Sequence, residues 1–276
     1  MQLKCKDRLL DLREPVVMGV LNITPDSFYD GGRYEEMKSI MSHVEKMVQE
    51  GAKVIDIGGM STRPGAKIIS STEEIDRILP ATIEIRKSFP DIFISIDTVY
   101  AETAHKTLEA GADLINDISA FQIDEELINV VAKYKAGYIL MHMQNNPIDM
   151  QDRPQYEDVV REIMHFFISR TQSLHKRGVH EIIIDPGFGF GKTIDHNYEI
   201  LQKLSVFRIL KYPLLSGVSR KSMLYKYLDI NPEEALPATS IANYISLCQG
   251  ASLLRVHDVK EAIQAIKLFK KCNIKE

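Results

Sequence analysis

Eight short apolar runs in this sequence carry, at or near their C-terminal end, a polar residue that could take part in chemistry. In chain order these residues are Asn22, Asp56, Asp97, Asn116 with Asp117, His142, Asp185, Ser219 with Arg220 and Lys221, and Arg255 with His257. Burial explains the apolar interiors of such runs, but it does not explain a polar residue at the same end of each. In a parallel barrel the C-terminal strand ends meet on one face, which carries the active site. The pattern therefore predicts a functional site on one face of the fold.

Three of these residues, Asp97, Asn116 and Asp185, form a set of hydrogen-bond acceptors from three different strands. Such a set could bind a metal ion or the N–H-rich edge of a heterocycle, because a carboxylate can accept two parallel hydrogen bonds from an aminopyrimidine. A metal site usually contains histidine or closely spaced carboxylates, and the sequence has no HxH or HExxH spacing. The heterocycle is favoured, and capping of the following helices is the alternative for Asp97 and Asn116.

Cationic residues follow the last two strands. Arg220 and Lys221 come at the end of the seventh strand, and the ends of strands 7 and 8 are a common anion site in barrels. Arg255 and His257 lie two residues apart, on the same side of the eighth strand. These residues indicate a positive pocket for a leaving anion beside a flat heterocycle. No Ser-His-Asp or Cys-His arrangement for covalent catalysis is apparent.

Three loops and one histidine add further candidates. Asn22 offers an amide oxygen suitable for Mg2+, although an Asx turn is the alternative, and Arg63 suits a phosphate unless it is a solvated loop arginine. The segment 185–193, DPGFGFGKT, has neither GxxxxGK[ST] nor GxGxxG spacing. It is interpreted as a loop whose backbone approaches a ligand, with Phe188 and Phe190 as aromatic walls. A packed histidine is at least as good an interpretation of His142.

The elements that must position these residues alternate between strands and helices. Strands are expected to begin near residues 16, 53, 92, 113, 138, 182, 213 and 252. An apolar stripe predicts a helix over 34–50, and a capping box from Ser71 to Glu74 is expected to begin the second helix. Glycines that would end helices are expected at Gly51, Gly111, Gly137, Gly178 and Gly250. The pattern predicts a (β/α)8 TIM barrel rather than a doubly wound sheet, which usually has fewer strands.

Size and composition fit this fold. The 276 residues, 45% of them hydrophobic, suit one barrel domain over 1–276, with its core at about 15–272. The net charge of −4 and the lack of a long basic run argue against nucleic acid as a partner. No signal-peptide pattern or apolar stretch long enough for a membrane span occurs. The three cysteines, Cys5, Cys248 and Cys272, are expected to be reduced thiols in a cytoplasmic protein.

The sequence resembles the dihydropteroate synthases, the folate-pathway family inhibited by sulfonamides. The matching stretches occur in order between residues 16 and 258: LNITPDSFYDGGRY, DIGGMSTRPGA, SIDT, NDIS, MHMQNNP, DPGFGFGKT, SGVSRKSML and RVHDV. The resemblance implies that 6-hydroxymethyl-7,8-dihydropterin diphosphate condenses with p-aminobenzoate to give 7,8-dihydropteroate and pyrophosphate. It also implies Mg2+ as the cofactor and a homodimer formed through barrel helices.

The resemblance further implies roles for individual residues. The pterin would be bound by Asp97, Asn116, Asp185, Lys221 and Arg255, and Asp56 would support them. The pyrophosphate site would comprise Arg63, Arg255, His257 and Asn22, which would also bind the Mg2+. The p-aminobenzoate site would comprise Phe28, Thr62, Pro64, Phe190, Lys221 and Ser222. The residues expected to act in catalysis are Asn22, Arg63, Lys221, Arg255 and His257.

Two alternatives share the pterin site. A pterin-dependent methyltransferase would use the same acidic and amide residues, but it would not need Arg63, Lys221, Arg255 and His257. A non-catalytic pterin-binding homologue would be expected to have damaged first and second loops, and both loops are intact here. The expected reaction is dissociative, since an electron-rich dihydropterin can support a cation at its exocyclic methylene while Mg2+ and cationic side chains stabilise the departing pyrophosphate.

Overall fold

A computed structural model describes residues 1–23, 32–60, 69–144 and 154–272, with the side chains of the first helix described from Glu35 onward. The chain begins with an antiparallel hairpin of β1 (Gln2–Cys5) and β2 (Arg8–Asp11). Eight further strands follow: β3 (Val16–Asn22), β4 (Val54–Gly58), β5 (Phe93–Asp97), β6 (Leu114–Asp117), β7 (Gly137–Met141), β8 (Ile182–Asp185), β9 (Leu215–Ser216) and β10 (Leu253–Val256). Their starts agree with the sequence-based expectation to within two residues.

The eight strands form one parallel sheet that closes on itself. Their order is β8-β7-β6-β5-β4-β3-β10-β9, and a parallel bridge between Ile184 and Leu214 joins the two ends. The nitrogen of Ile184 also donates to the carbonyl of Pro213 at 3.0 Å. The expected (β/α)8 barrel is therefore confirmed, with its weakest strand pairing between β8 and β9.

Helices follow the barrel strands. They are α1 (Gly32–Glu50), α2 (Ser71–Ser88), α3 (Ala101–Glu109), α4 (Glu126–Tyr134), α5 (Val159–Lys176), α6 (Ile194–Gln202), α7 (Ser222–Tyr225), α8 (Leu236–Cys248) and α9 (Val259–Cys272). Short 3-10 helices cover Leu204–Leu210 and Pro232–Ala235. The predicted stripe of α1 packs inward, with Ile40, Val44 and Met47 buried in the core. Among the described residues, no helix is long and apolar enough to cross a membrane.

Two expectations about helix ends are wrong. The side chain of Ser70, not Ser71, caps α2 by accepting from the nitrogen of Glu73, and Glu74 turns inward to accept from Thr98. Gly137 does not end α4, because Lys135 adopts the left-handed conformation instead, with φ of 52°. Gly137 opens β7, where a Cβ atom would lie 2.8 Å from the sulfur of Cys5.

The N-terminal hairpin closes the bottom of the barrel. Its buried residues Leu3, Cys5 and Leu10 pack with an apolar layer at the N-terminal ends of the strands, namely Met18, Val54, Leu114, Ile139, Ile183, Leu215 and Leu253. Alternate residues along a strand point to the same face. The residues two positions beyond Val54, Leu114, Ile183 and Leu253 are Asp56, Asn116, Asp185 and Arg255. The barrel interior thus changes from apolar at the closed end to polar at the C-terminal end.

Candidate active site

Strand register brings the predicted acceptors together at the C-terminal end of the barrel. Gly58 of β4 lies opposite Asp97 of β5, and Asp97 lies opposite Asn116 of β6. A Cβ atom at Gly58 would make ordinary contacts of 3.5 Å with both the Asn22 Oδ1 atom and the Asp97 Cβ atom. Asn22 and Asp97 therefore lie on either side of Gly58 in the strand register.

Arg255 connects the carboxylates of this cluster. Its Nε donates to Asp56 Oδ2 at 2.7 Å, and its Nη2 donates to Asp97 Oδ2 at 2.8 Å. The same Asp56 oxygen accepts from Asn116 Nδ2 at 3.0 Å. Asp56 thus accepts from both Arg255 and Asn116. Its other oxygen, Oδ1, is buried without a hydrogen-bond partner among the described residues.

Burial of these charges shifts their protonation equilibria. Burial raises the pKa of Asp97 to about 7, against the attraction of Arg255. Burial also raises the pKa of Asp185, against a backbone hydrogen bond and the nearby Lys221. Burial opposes the charge on Arg255, but Asp56 and Asp97 outweigh it and raise the pKa of Arg255. The cluster therefore contains a permanent cation beside the Asp97 carboxyl group, which can titrate near neutral pH.

The loop after β8 places an aromatic ring beside a lysine. Asp185 Oδ1 accepts from the nitrogen of Gly187 at 2.8 Å, and the Lys221 ammonium lies 4.2 Å from the centre of the Phe190 ring. A Cβ atom at Gly189 would lie 3.2 Å from Cδ of Lys221, so the backbone approaches this lysine closely. Burial and repulsion from Arg255 lower the pKa of Lys221 to about 8. Ser222, the first residue of α7, follows Lys221 directly.

His257 lies at the mouth of the barrel after β10. Its Nδ1 atom and the Ser219 hydroxyl lie 3.1 Å apart, and the Ser219 oxygen also accepts from the His257 backbone nitrogen at 3.2 Å. The ring keeps access to solvent, but desolvation by the surrounding protein and the charge of Arg255 lower the pKa of His257 to about 4. His257 is therefore neutral at pH 7 before any anion binds. Sequence reasoning noticed Ser219 without assigning it a role.

Two residues expected near the ligand lie elsewhere. Phe188 packs in the hydrophobic core with 1% of its surface exposed, so only Phe190 lines the cluster. Arg220 forms two hydrogen bonds of 2.8 Å with Asp258 instead of joining the anion site. Its φ of 51° lies in the left-handed region, and its guanidinium contacts Asp258 whereas Lys221 lies over the Phe190 ring. Phe28, Thr62, Arg63 and Pro64, which were also predicted, lie outside the described residues.

His142 and Lys192 form a buried pair that sequence reasoning did not assign to the site. Their Nδ1 and Nζ atoms lie 3.1 Å apart, and the imidazole packs edge-on against Phe166 at a centroid distance of 4.8 Å. Burial, followed by the charge of Lys192, lowers the pKa of His142 well below its ordinary value. The interpretation of His142 as a packed histidine agrees with this environment. The available sequence signal was the lysine itself, in a glycine-rich loop directly after a buried strand.

The donor groups at this face could bind a metal ion through few protein ligands. Asn22 presents an amide oxygen at the exposed end of β3. Among the described residues, no group of three or more His, Cys, Asp or Glu side chains could hold a metal ion. Mg2+ commonly keeps several waters and binds through one or two protein ligands plus substrate phosphates. The residues therefore fit a Mg2+ ion that is held mainly by a bound diphosphate, with Asn22 as a protein ligand.

The C-terminal face of this (β/α)8 barrel carries hydrogen-bond acceptors suited to a flat heterocycle beside cations suited to an anion. This combination is expected of a pterin-binding barrel. A family model described as pterin binding enzyme matches residues 18–257. The matched range covers all eight barrel strands, from the second residue after the start of β3 onward.

Relatives with assigned activities share nearly the full length of the chain. Dihydropteroate synthase of Escherichia coli (strain K12) is 40% identical over 270 residues, covering 97% of this chain and 95% of the relative. The Yersinia pestis dihydropteroate synthase, solved with a sulfonamide drug, is 39% identical with a TM-score of 0.94 and full coverage of both chains. The Xanthomonas albilineans dihydropteroate synthase, solved with 4-aminobenzoic acid, is 34% identical with a TM-score of 0.92, covering 100% of this chain and 99% of that one. The chain belongs to the dihydropteroate synthase family of pterin binding enzymes.

Proposed function

We propose that this chain condenses 6-hydroxymethyl-7,8-dihydropterin diphosphate with p-aminobenzoate, releasing pyrophosphate and forming 7,8-dihydropteroate. The observation that carries the proposal is the position of Arg255. It lies between the carboxylates of Asp56 and Asp97, on the strand that leads to His257. One side of the site can accept hydrogen bonds from a heterocycle, and the other can attract a phosphate. Membership of the dihydropteroate synthase family supports the same reaction.

The pterin is bound by the acceptors of the cluster. Asp185 accepts from the aminopyrimidine edge, with Asp97 and Asn116 accepting from other N–H groups of the ring system. The guanidinium of Arg255 stacks on the pterin, and Lys221 donates to it. The buried setting strengthens these polar interactions because the local dielectric constant is low. A ligand that supplies N–H donors also satisfies carboxylates that are costly to bury without partners.

The cationic residues act on the leaving group. Arg255 and His257 bind pyrophosphate oxygens, and Arg63 contributes from the second loop. Charge that develops on the departing pyrophosphate is stabilised by these fixed donors, which lowers the barrier to C–O cleavage. The arylamine of p-aminobenzoate is already neutral at pH 7 and attacks without a strong general base. Phe190, Lys221 and Ser222, with Phe28, Thr62 and Pro64, form its binding site.

Mg2+ is the proposed cofactor, with Asn22 as its protein ligand. When bound with the diphosphate, Mg2+ supplies positive charge to the leaving group. The exposed amide oxygen of Asn22 at the end of β3 supports this assignment. Asn22 would bind the ion through its neutral amide oxygen, which has no proton to lose.

A homodimer is proposed through the barrel helices. Ile241 and Ile245 of α8 lie one turn apart with exposed side chains, and Leu268 of α9 is also exposed. We expect Ile241→Glu to yield monomers in analytical ultracentrifugation, whereas Ile83→Glu, on the exposed side of α2, leaves the association state unchanged.

A cytoplasmic location is proposed because the three cysteines, Cys5, Cys248 and Cys272, are free thiols.

The reaction is tested by measuring pyrophosphate release with purified protein, dihydropterin diphosphate and Mg2+, with and without p-aminobenzoate. We expect release that depends on p-aminobenzoate, equimolar dihydropteroate, and inhibition by a sulfonamide. Pterin binding without either product would identify a non-catalytic homologue. Methyl transfer from methyltetrahydrofolate would identify the methyltransferase. That reaction gives Lys221, Arg255 and His257 no evident role.

A further inference from the structure

The buried ammonium of Lys192 joins the backbones of two loops at the mouth of the barrel. Its Nζ atom lies 2.8 Å from the carbonyl oxygen of Phe190, 2.9 Å from that of Gly187 and 3.2 Å from that of His142. A fourth contact, of 3.1 Å, is made with His142 Nδ1. Only 3% of the Lys192 surface is exposed. These partners surround the nitrogen with uncharged acceptors.

Burial of the Lys192 charge is costly in free energy unless the carbonyl groups around it are held in place. A buried cation without a carboxylate partner must be stabilised by dipoles and hydrogen bonds. Burial lowers the pKa of Lys192 to about 7, although Asp185 opposes the shift. An ammonium has three N–H donors, whereas a neutral amine has two. The charged form can therefore satisfy all three carbonyl groups at once.

The two loops also touch each other directly. A Cβ atom at Gly187 would lie 2.0 Å from the carbonyl oxygen of His142, and one at Gly191 would lie 2.6 Å from that of Gln144. Both glycines have positive φ, of 71° and 61°. The loop after β8 thus follows an unusual path against the end of β7. Lys192 donates to its carbonyl groups on both sides of Gly189.

This path determines where Phe190 lies. Phe190 belongs to a small apolar cluster with Met141 and Met143, and the Lys221 ammonium lies over its ring. Asp185, in contrast, is held by β8 itself, whose ladder pairs it with Met141. Loss of the Lys192 contacts would therefore displace Phe190 more than Asp185.

We propose that Lys192 is a positioning residue for the arylamine half of the active site. Its ammonium fixes the loop from Gly187 to Gly191 so that the Phe190 ring and Lys221 keep the spacing that p-aminobenzoate requires. Lys192 itself touches neither substrate. The proposal rests on the proposed synthase function, because that function assigns Phe190 and Lys221 to p-aminobenzoate.

The test uses the full-length Lys192→Met variant, whose side chain has a similar length and no N–H donors. We expect the KM for p-aminobenzoate to rise by about tenfold or more, a loss of about 1.4 kcal/mol in binding, because the Phe190 ring is displaced from Lys221. The KM for dihydropterin diphosphate should rise less, because Asp97, Asn116 and Asp185 are held by their strands. Lys203→Met is the matched control, because Lys203 contacts the exposed Glu199 and lies outside both loops. It should change neither constant.

Hydrogen exchange supplies a measurement that does not depend on turnover. Amides between Gly187 and Gly191 should exchange faster in Lys192→Met than in the wild type, while amides of β8 remain protected. If wild-type protein forms no dihydropteroate, the proposed function fails, and the exchange result still decides whether Lys192 holds the loop. If Lys192→Met does not fold, Lys192→Gln, whose amide keeps two donors, is measured in the same way. Unchanged exchange in the loop, or equal losses for both substrates, would overturn the proposal.

Discussion

Arg255 and Asp97 form an ion pair across the mouth of the barrel, with Nη2 2.8 Å from Oδ2, although two strands separate β10 from β5 in the sheet. Arg255 also contacts Asp56, so two buried carboxyl groups share a single guanidinium. Removing one partner from a buried ion pair leaves the other charge uncompensated. Carboxyl groups that share one cation can accept further hydrogen bonds, which favours a ligand rich in N–H groups such as a heterocycle.

Substitution of Arg255 by alanine should affect both activity and stability. We expect kcat/KM to fall by about a hundredfold or more, because a fixed donor to the leaving group and a contact with the pterin are both lost. The free energy of unfolding should fall by about 3 kcal/mol. Arg8→Ala is the control, since Arg8 pairs with the buried Asp113 at the opposite end of the barrel. It should lower stability without a comparable loss of kcat/KM, and an unaltered kcat/KM in Arg255→Ala would contradict the assigned role.

Pterin binding should depend on pH through Asp97. Its pKa of about 7 means that the ionised, fully accepting form becomes more populated as pH rises from 6 to 8. We expect the affinity for a dihydropterin ligand to increase over this range in calorimetric titrations. Asp97→Asn, which cannot titrate, should bind more weakly and lose this part of the pH dependence. The same slope in both proteins would assign the titration to another group.

Pyrophosphate binding should take up protons through His257. Its pKa of about 4 keeps the imidazole neutral at pH 7, and a bound anion favours the charged form. Binding enthalpies measured in two buffers with different ionisation enthalpies should therefore differ at pH 6.5. His257→Asn should bind with less proton uptake. Equal enthalpies in both buffers for the wild type would show that His257 does not become protonated.

The contact between Gly187 and His142 predicts an unequal effect of two glycine substitutions. Gly187→Ala would place a Cβ atom 2.0 Å from a backbone carbonyl oxygen at a positive φ of 71°. Gly178→Ala has a similar φ of 83° but meets no atom within 4 Å. We expect thermal unfolding to show a loss of about 1 kcal/mol for Gly178→Ala and about 3 kcal/mol or more for Gly187→Ala. Similar losses would mean that the loop after β8 moves easily away from His142.

Asp113 is expected to matter for stability and not for catalysis. One of its oxygens accepts from Arg8 at 2.8 Å, from Arg86 at 2.6 Å and from the nitrogen of Ile94 at 2.8 Å. These contacts join the N-terminal hairpin to the bottom of the barrel. Asp113→Asn should lower the free energy of unfolding by about 3 kcal/mol in urea denaturation, with kcat/KM unchanged. Glu157→Gln, an exposed partner of Arg161, should have almost no effect on either quantity.

The order of apolar and polar residues along the sequence was enough to predict the strands and the polar residues at their ends. The starts of β3 and β10 could be predicted because apolar runs of strand length alternate with helical patterns. Asp97, Asn116 and Asp185 could be identified because a polar residue at the end of a buried strand is unusual. Ser70 and Ser71 could not be distinguished as caps, since both precede an acidic residue by three positions. Which serine caps the helix depends on the inward turn of Glu74 toward Thr98.

The sequence by itself determined the (β/α)8 architecture, because alternation of apolar runs and helical stripes is a local property of the chain. It also determined that acidic and amide acceptors meet cationic residues on one face. Only the tertiary structure decided that Arg255 bridges Asp56 and Asp97, that Phe190 rather than Phe188 lines the site, and that Arg220 turns to Asp258. It also decided that Lys192 donates to two loops. Contacts between residues far apart in the chain depend on the closure of the barrel, and local sequence patterns do not specify which distant side chain each of these residues meets once that closure is made.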